Sequence, residues 1–236
     1  MSELVSSGKL RVGVAFAPSP SPLFVVKDAA GAPRGVTVDL GNALAKDLGV
    51  AVEFIVAPNT GELVDALEAG RIDVSFMPVD EERKKRVAFG PVYFLVESTY
   101  MVTAASGIRT VAEVDRAGRR VIGIANTTTI RAAGRDLINT TITAVQSIGE
   151  AIEMMTQGRA DAFALSRDSL PPFLAKLPGS RIVDGGFQFT GVAIAVPKDR
   201  PEALAYVSAF LENAKKTGIV RRAMDDAGLK DLVVAP

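Results

Sequence analysis

The 236-residue chain contains no cysteine, no histidine and no tryptophan. Without cysteine there can be no disulfide, no thiolate nucleophile and no cysteine-ligated metal. Without histidine the chain lacks the usual general base, the commonest zinc ligand and the Ser-His-Asp triad. Aromatic residues make up only 6% of the chain, so large stacking surfaces are scarce. These absences exclude most hydrolase mechanisms and leave only carboxylate or lysine chemistry open.

Charge and hydropathy exclude further classes of protein. The 27 basic and 27 acidic side chains cancel, which argues against a nucleic-acid coat or a polybasic membrane anchor. No apolar run approaches the roughly 18–20 residues that span a bilayer. Apolar residues make up 48% of the sequence, and a chain of this length buries roughly 70–75% of its unfolded surface. One large domain or two modest lobes are therefore expected.

Short strand-like runs alternate with helical patterns along most of the chain. The predicted strands are 9–16, 23–26, 50–57, 72–77, 120–124, 140–146, 160–165 and 189–196. This alternation predicts an α/β protein with mainly parallel sheets and ligands at the carboxyl ends of the strands. The long segment 93–103 suits a crossover between two lobes, although a single sheet remains the alternative at this point. The sequence shows no internal repeat.

Five motifs in a fixed order allow a more specific interpretation. They are Leu-Arg-Val-Gly-Val at 10–14, Gly-Val-Thr-Val-Asp-Leu at 35–40, Leu-Glu-Ala-Gly-Arg-Ile-Asp at 67–73, Glu-Arg-Lys-Lys-Arg-Val-Ala-Phe at 82–89 and Gly-Arg-Ala-Asp-Ala at 158–162. From Leu10 to about Gly228 the chain resembles the extracellular solute-binding proteins of ABC importers, family 3. This is the polar amino-acid type, with the type II periplasmic binding protein fold.

The resemblance implies two lobes, each a mainly parallel sheet flanked by helices, joined by two crossing hinge strands that let the lobes close over a small solute. Lobe 1 is expected to comprise residues 1–96 plus 193–236, and lobe 2 residues 97–192. The implied function is to bind a small carboxylate-bearing or amino acid-like solute in the cleft and pass it to an ABC permease of the inner membrane. A periplasmic monomer is expected, with its signal peptide outside this chain and with no cofactor, metal or nucleic acid.

Arg83 matches the family arginine that grips the carboxylate of the ligand. A guanidinium suits this role because it offers two parallel donors in a fixed fork. The alternative is that 81–86 is a solvated run of charge, as we expect for its neighbours Lys84, Lys85 and Arg86.

Asn126, Thr127, Thr128 and Thr129 lie between a predicted strand and a predicted helix, where the family has an anion-binding loop. Free backbone N–H groups and hydroxyls converge at such a position, and the helix dipole favours an anion. The alternative is a helix N-cap with no ligand.

The sequence departs from the family where the ammonium of an amino acid is usually bound. Ser166 stands where the family usually has an acidic residue, and the next carboxylate is Asp168. Pro78 replaces a common threonine, and Ala15 or Phe16 replaces a second acidic position. Because a buried ammonium without a carboxylate partner costs several kcal/mol, the ligand is expected to be an anionic carboxylate whose amino group is absent or differently placed.

Three further residues complete the predicted ligand site, each with a structural alternative. Phe16 and Met77 are apolar pocket candidates, but such residues near strand ends are more often core. Thr60 lies at a strand-to-helix turn and serves equally well as an N-cap.

Two rival functions remain open on this scaffold. Cyclohexadienyl-dehydratase-like enzymes are similar to the family and need a carboxylate as general acid, for which Glu62, Asp80 and Asp168 are the candidates. A sensory or orphan binding domain without its own permease is the other. The identity of the solute cannot be read from the sequence.

Overall fold

The alternation of strands and helices is present in the structure, a computed structural model that describes residues 3–5, 8–16, 20–57, 59–230 and 232–236. The strands are β1 (Lys9–Ala15), β2 (Val26–Lys27), β3 (Pro33–Arg34), β4 (Ala51–Ala57), β5 (Val74–Pro78), β6 (Val87–Val102), β7 (Val121–Ile124), β8 (Ile142–Val145), β9 (Ala162–Ser166), β10 (Arg181–Ile182) and β11 (Gln188–Pro197). The α-helices are α1 (Val36–Leu48), α2 (Thr60–Glu68), α3 (Glu81–Arg86), α4 (Thr128–Asp136), α5 (Ile148–Thr156), α6 (Pro171–Leu174), α7 (Pro201–Lys216) and α8 (Ile219–Asp226). Short 3₁₀ helices span Ala104–Ser106, Val111–Glu113 and Arg167–Ser169.

The chain divides into two compact units. The first unit comprises Met1–Leu95 with Gly191–Pro236, and the second comprises Val96–Thr190. One boundary between the units falls inside β6 and the other inside β11. That these units act as hinged lobes stays a prediction.

The first unit is built on the strand order β4-β1-β5-β11. β1 runs parallel to both β4 and β5, and β11 is antiparallel to β5. α1 buries Leu40, Leu44 and Leu48, which recur every four residues and so share one face. Gly49 ends α1 with φ 69°, a left-handed conformation that glycine adopts without strain. The parallel strands bring the starts of α2 and α3 to one edge of the sheet, because both helices follow carboxyl ends of strands.

The second unit repeats this arrangement with different residues. Its strand order is β8-β7-β9-β6, and β10 pairs with the other side of β6. β7 is parallel to β8 and β9, whereas β6 is antiparallel to β9. Apolar side chains fill both faces of this sheet; one cluster includes Phe163 and Leu165, and the other includes Tyr100 and Ala164. Because β7 and β9 are parallel neighbours, the start of α4, which follows β7, lies at the same edge of the sheet as Ser166, the last residue of β9.

The strand orders β4-β1-β5 and β8-β7-β9 share one topology, although the sequence shows no internal repeat. Two sequence-based expectations need correction. The predicted strand 23–26 is mostly a turn, in which the Phe24 backbone N–H donates to the Ser21 carbonyl. The charged run at 81–86 forms α3. Among the described residues no helix is both long and apolar enough to cross a bilayer.

Candidate functional site

Arg83 is a buried cation at the carboxyl edge of the first unit's sheet. α3 begins directly after β5, where the Asp80 carboxylate caps it by accepting from the Arg83 backbone N–H at 2.8 Å. The side chain of Arg83 is only 5% exposed. Its Nη1 donates to the Pro78 carbonyl at 2.7 Å and its Nη2 to Thr60 Oγ1 at 2.6 Å. Hydrogen bonds to β5 and to α2 therefore fix the position of the guanidinium. A solvated side chain would not be held in this way.

The neighbours of Arg83 on α3 behave as solvated charges. Lys84 pairs with Glu81 at 2.8 Å and Lys85 with Glu82 at 2.6 Å, all of them well exposed. Each of these is an i,i+3 surface pair, a type worth little to stability. Arg83 is therefore the buried cation of this run, whereas its basic neighbours are exposed.

The remaining first-unit candidates lie in three different environments. Thr60 is not an N-cap, because Asn59 caps α2 by accepting from the Glu62 backbone N–H. The Thr60 hydroxyl accepts from Arg83 instead. Met77 is completely buried in the core of the unit. Phe16 is half-buried, with the Lys27 ammonium 5.5 Å from its ring centroid.

In the second unit the start of α4 gathers the four polar residues predicted from the sequence. Thr127 is the N-cap, accepting from the Ile130 backbone N–H at 3.1 Å. Asn126 precedes it at φ 61°, a left-handed conformation that asparagine tolerates better than most residues. Thr128 and Thr129 are 8% and 7% exposed. The first turn of α4 carries no acidic residue, so the positive end of the helix dipole is not offset there.

Ser166 is the last residue of β9, and Asp168 lies in the 3₁₀ helix that follows. The Ser166 hydroxyl donates to Ser169 Oγ at 2.9 Å. The Ser169 hydroxyl in turn donates to Asp168 Oδ2 at 3.4 Å. The end of β9 therefore offers a hydroxyl where the family usually offers a carboxylate.

Sequence reasoning missed Ser98, which joins these residues. Ser98 lies opposite Ser166 in the β6/β9 register, and its Oγ is 3.3 Å from Thr129 Oγ1. It is 1% exposed. Directly opposite residues of an antiparallel pair share one face, so Ser98 places Ser166 beside the start of α4. Only the pairing of two strands far apart in sequence could have revealed this.

Arg167 follows Ser166 but is held elsewhere. It forms an ion pair with Glu97, and its Nη2 donates to the carbonyls of Val183 at 3.1 Å and Gly185 at 2.7 Å. Sequence analysis gave neither Arg167 nor Glu97 a role. These contacts tie the segment before β11 to β6.

Two arginine–aspartate pairs shift pKa values at the other, amino-terminal edge of each sheet. In the second unit the Arg120 side chain hydrogen-bonds Asp161 and holds the pKa of that carboxyl below its usual value. In the first unit the hydrogen bond from Arg11 to Asp73 raises the pKa of Arg11. Asp73 lies just before β5 and Asp161 just before β9, so the pairs anchor the amino-terminal ends of these strands.

The carboxylates considered for catalysis serve local structure. Asp80 caps α3, and Glu62 accepts from the Asn59 side-chain amide at 3.0 Å. Among the described residues no group of three or more Asp or Glu side chains could hold a metal ion.

Comparison with known proteins identifies the family of the chain. The family model for bacterial extracellular solute-binding proteins, family 3, matches residues 11–226. The chain belongs to this family. Its members bind amino acids and work with ABC transporters. Its fold is that of the type II periplasmic binding proteins.

Three relatives illustrate the range of this similarity. The L-arginine-binding protein of Pseudomonas aeruginosa is 25% identical over 92% of this chain and 86% of its own length. The crystal structure of an ancestral amino-acid-binding protein, described as a precursor of cyclohexadienyl dehydratase, is 31% identical and superposes with a TM-score of 0.75, covering 95% of this chain and 97% of that one. The membrane-bound lytic murein transglycosylase F of Maricaulis maris is 40% identical over 74 residues, 30% of this chain but only 16% of that protein.

Proposed function

We propose that this family member binds a small solute through a carboxylate group, without chemical conversion, and passes it to an ABC permease in the inner membrane. The observation that carries the proposal is the burial of Arg83. A cation that is 5% exposed and oriented by Thr60 and Pro78 is arranged for a fixed anionic partner. The family is extracellular, and a periplasmic location follows for this chain under the proposal.

The start of α4 is proposed as the second contact for the carboxylate. Asn126, Thr127, Thr128 and Thr129 bring backbone N–H groups and hydroxyls to the end of a nine-residue helix with no acidic residue in its first turn. A helix N-terminus stabilises an anion through these donors and through its dipole. Phe16 is proposed to supply an apolar contact, whereas the complete burial of Met77 makes it a packing residue.

The solute is proposed to lack an α-ammonium group or to carry it elsewhere. Ser166 offers no negative charge at the end of β9, and the carboxylate of Asp168 is connected to it only through the Ser169 hydroxyl. A desolvated ammonium at Ser166 would lack a directly contacting counter-ion and cost several kcal/mol. The relative from Pseudomonas aeruginosa is named for binding L-arginine, an amino acid; the departures at Pro78 and Ser166 favour a different solute here.

The proposal is tested by a thermal-shift screen of organic acids and amino acids on the wild-type chain. A ligand at 100 times its dissociation constant stabilises the folded state by about 2.7 kcal/mol, which is easily detected. We expect a shift from at least one carboxylate, and loss of that shift in Arg83→Ala.

Arg86→Ala is the matched control. Arg86 lies on the same helix but is 44% exposed and pairs with Asp65 and Glu68 on the surface. Its variant is expected to keep the ligand-induced shift in full. Persistence of the shift in Arg83→Ala would refute the proposed anchor.

A structural relative described as the precursor of a dehydratase makes turnover worth testing. Incubation with prephenate and arogenate is expected to give no product. Product formation at a rate above the uncatalysed reaction would contradict the binding-only role.

A further inference from the structure

β4 lies at the lateral edge of the first unit's sheet. Among the described residues it pairs with β1 alone, in parallel, over seven residues without a bulge. On one face α1 approaches so closely that a Cβ at Gly41 would lie 2.9 Å from the Phe54 ring. On the other face Ile55 packs against a core cluster that includes Leu63 of α2. Helices therefore cover both faces of β4, and its outer side is left without a neighbouring strand.

One hydrogen bond shows which main-chain groups of β4 face outward. The Phe16 backbone N–H donates to the Ala57 carbonyl, so the main-chain groups of Ala57 face β1. In a strand the N–H and C=O of one residue point to the same side, and that side alternates from residue to residue. The residues whose N–H and C=O point away from β1 are therefore Val52, Phe54 and Val56.

β4 carries none of the features that usually prevent a sheet edge from pairing with another chain. Such edges are protected by proline, lysine, a bulge or a very short strand. β8, at the outer end of the second unit's strand order, has only four residues. β4 contains neither proline nor a basic residue, and its outward-facing Val56 is 41% exposed. The β4 edge is therefore built to pair.

The sequence of β4 fits a second copy of the same strand. Ala-Val-Glu-Phe-Ile-Val-Ala reads alike in both directions about Phe54, except for Glu53 and Ile55. A two-fold axis at Phe54 would pair two such strands antiparallel, with Val52 opposite Val56 of the other copy. Facing residues of an antiparallel ladder exchange both of their main-chain hydrogen bonds. Because the outward-facing residues are the ones this axis brings together, one arrangement satisfies all of their N–H and C=O groups in both copies.

Charge is compatible with this pairing and symmetry limits it to two copies. Glu53 is the one charged residue of β4, and its carboxylate pairs with Lys9 of β1 at 2.7 Å. In the two-fold arrangement Glu53 lies opposite Ile55 of the other copy, so like charges do not face each other directly. The same edge is used by both copies, so the assembly closes as a dimer and does not grow into a fibre.

We infer that the chain forms a symmetric dimer in which the β4 strands of two copies pair antiparallel about Phe54. The dimer departs from the monomer that the family resemblance implies. None of the residues proposed to contact the solute lies on β4, so this inference stands or falls separately from the proposed function.

Cysteine cross-linking tests the register, because the natural chain has no cysteine. Facing residues have Cα atoms about 5.5 Å apart, within the roughly 4.4–6.8 Å that a disulfide spans. Val52→Cys and Val56→Cys are oxidised separately and as an equimolar mixture. We expect a cross-linked dimer in the mixture and little in either variant alone, where the two cysteines lie about 13 Å apart. Equal cross-linking in all three samples would overturn the inference.

Sedimentation equilibrium tests the dimer itself, on the wild-type chain from micromolar to submillimolar concentration. Val56→Pro keeps the bonds to β1, because proline is tolerated where the N–H of an edge strand faces outward. It removes two of the about six hydrogen bonds between the copies, so we expect at least about tenfold weaker dimerisation.

Val56→Thr is the matched control, since threonine keeps both the N–H and the β-branched side chain. This variant is expected to dimerise as the wild type does, and circular dichroism checks that each variant is folded. A wild-type chain that stays monomeric throughout the concentration range would overturn the inference. So would a folded Val56→Pro with an unchanged dissociation constant.

Discussion

The two units share a framework and differ where that framework ends. In each, a central strand is flanked by two parallel strands, in the orders β4-β1-β5 and β8-β7-β9. At the carboxyl edge the first unit has a buried cation, Arg83, whereas the second has the start of α4 and the buried hydroxyls of Ser98, Thr129 and Ser166. One topology therefore supports two unlike sets of polar groups, because the residues after the strands vary without disturbing the sheet.

The amino-terminal edges of the two sheets carry the same arginine–aspartate pair. Arg11 bonds Asp73 through its backbone N–H at 2.9 Å, Nε at 3.0 Å and Nη2 at 2.6 Å. Arg120 bonds Asp161 through the same atoms at 2.9, 3.1 and 2.6 Å. Each pair directly precedes register partners of its parallel strands. Such matched pairs fix the register in both units.

Burial distinguishes the two pairs. Asp73 is completely buried, and Arg200 adds a second cation at 3.5 Å. Asp161 is 13% exposed, and its partner Arg120 is 53% exposed. The same contacts should thus contribute very different amounts of stability, which makes the comparison testable.

Asp73→Ala is expected to have the largest effect on stability. It leaves Arg11 and Arg200 without their buried counter-ion, and breaking a buried ion pair by removing one partner costs about 3–5 kcal/mol. Urea unfolding monitored by circular dichroism measures the loss. A loss below about 1 kcal/mol would show that the buried pair is not the main anchor of the first sheet.

Asp161→Ala is the matched change in the second unit. Because Arg120 remains solvated, we expect a smaller loss of about 1–2 kcal/mol, mainly from the hydrogen bonds that Asp161 accepts. Equal losses in the two variants would contradict the role assigned to burial.

Acid titration should sharpen the same comparison. The pKa of Asp161 is lowered by the side-chain hydrogen bond from Arg120, so the folded state favours the charged carboxylate. Its stabilising contribution is complete above the unfolded pKa of about 3.9 and is lost as the pH falls through the lowered folded value. Unfolding free energy measured between neutral pH and pH 3 should fall less steeply in Asp161→Asn than in the wild type. Parallel curves would be inconsistent with this linkage.

Alanine substitution of two helix N-caps is expected to have the smallest effect on stability. Comparing the two variants separates capping from ligand binding. Thr127 caps α4 and Ser147 caps α5, each by accepting a backbone N–H at 3.1 Å. Alanine at either position should cost about 1 kcal/mol of stability. Calorimetry with the solute found in the screen should show weaker binding only for Thr127→Ala. Equal affinities in the two variants would mean that the start of α4 does not contact the solute.

Much of the framework is predictable from the sequence, because apolar residues recur with the period of the strands and helices that they bury. α3 was missed as a helix, since Glu81–Arg86 has no apolar face of its own. Asp80 caps this helix, and Arg83 is the one side chain of the helix that is buried. The motif order identified the family correctly, as the family model confirms.

Less of the candidate site is predictable. Arg83 and Ser166 stand out as family positions, but the guanidinium of Arg83 is oriented in part by Thr60, 23 residues away. Ser98 has no motif, and it acquires its place only through pairing of β6 with β9. Such relations are set by strand register, which a single sequence does not display.

Substitution of Ser166 by aspartate tests the central claim most directly, since it restores the negative charge that the end of β9 lacks. Calorimetry would compare wild type and Ser166→Asp against the twenty common amino acids. We expect no submicromolar binding by the wild type, and a gain of at least about tenfold for one or more amino acids in the variant. Submicromolar binding of an ordinary amino acid by the wild-type chain would contradict the account.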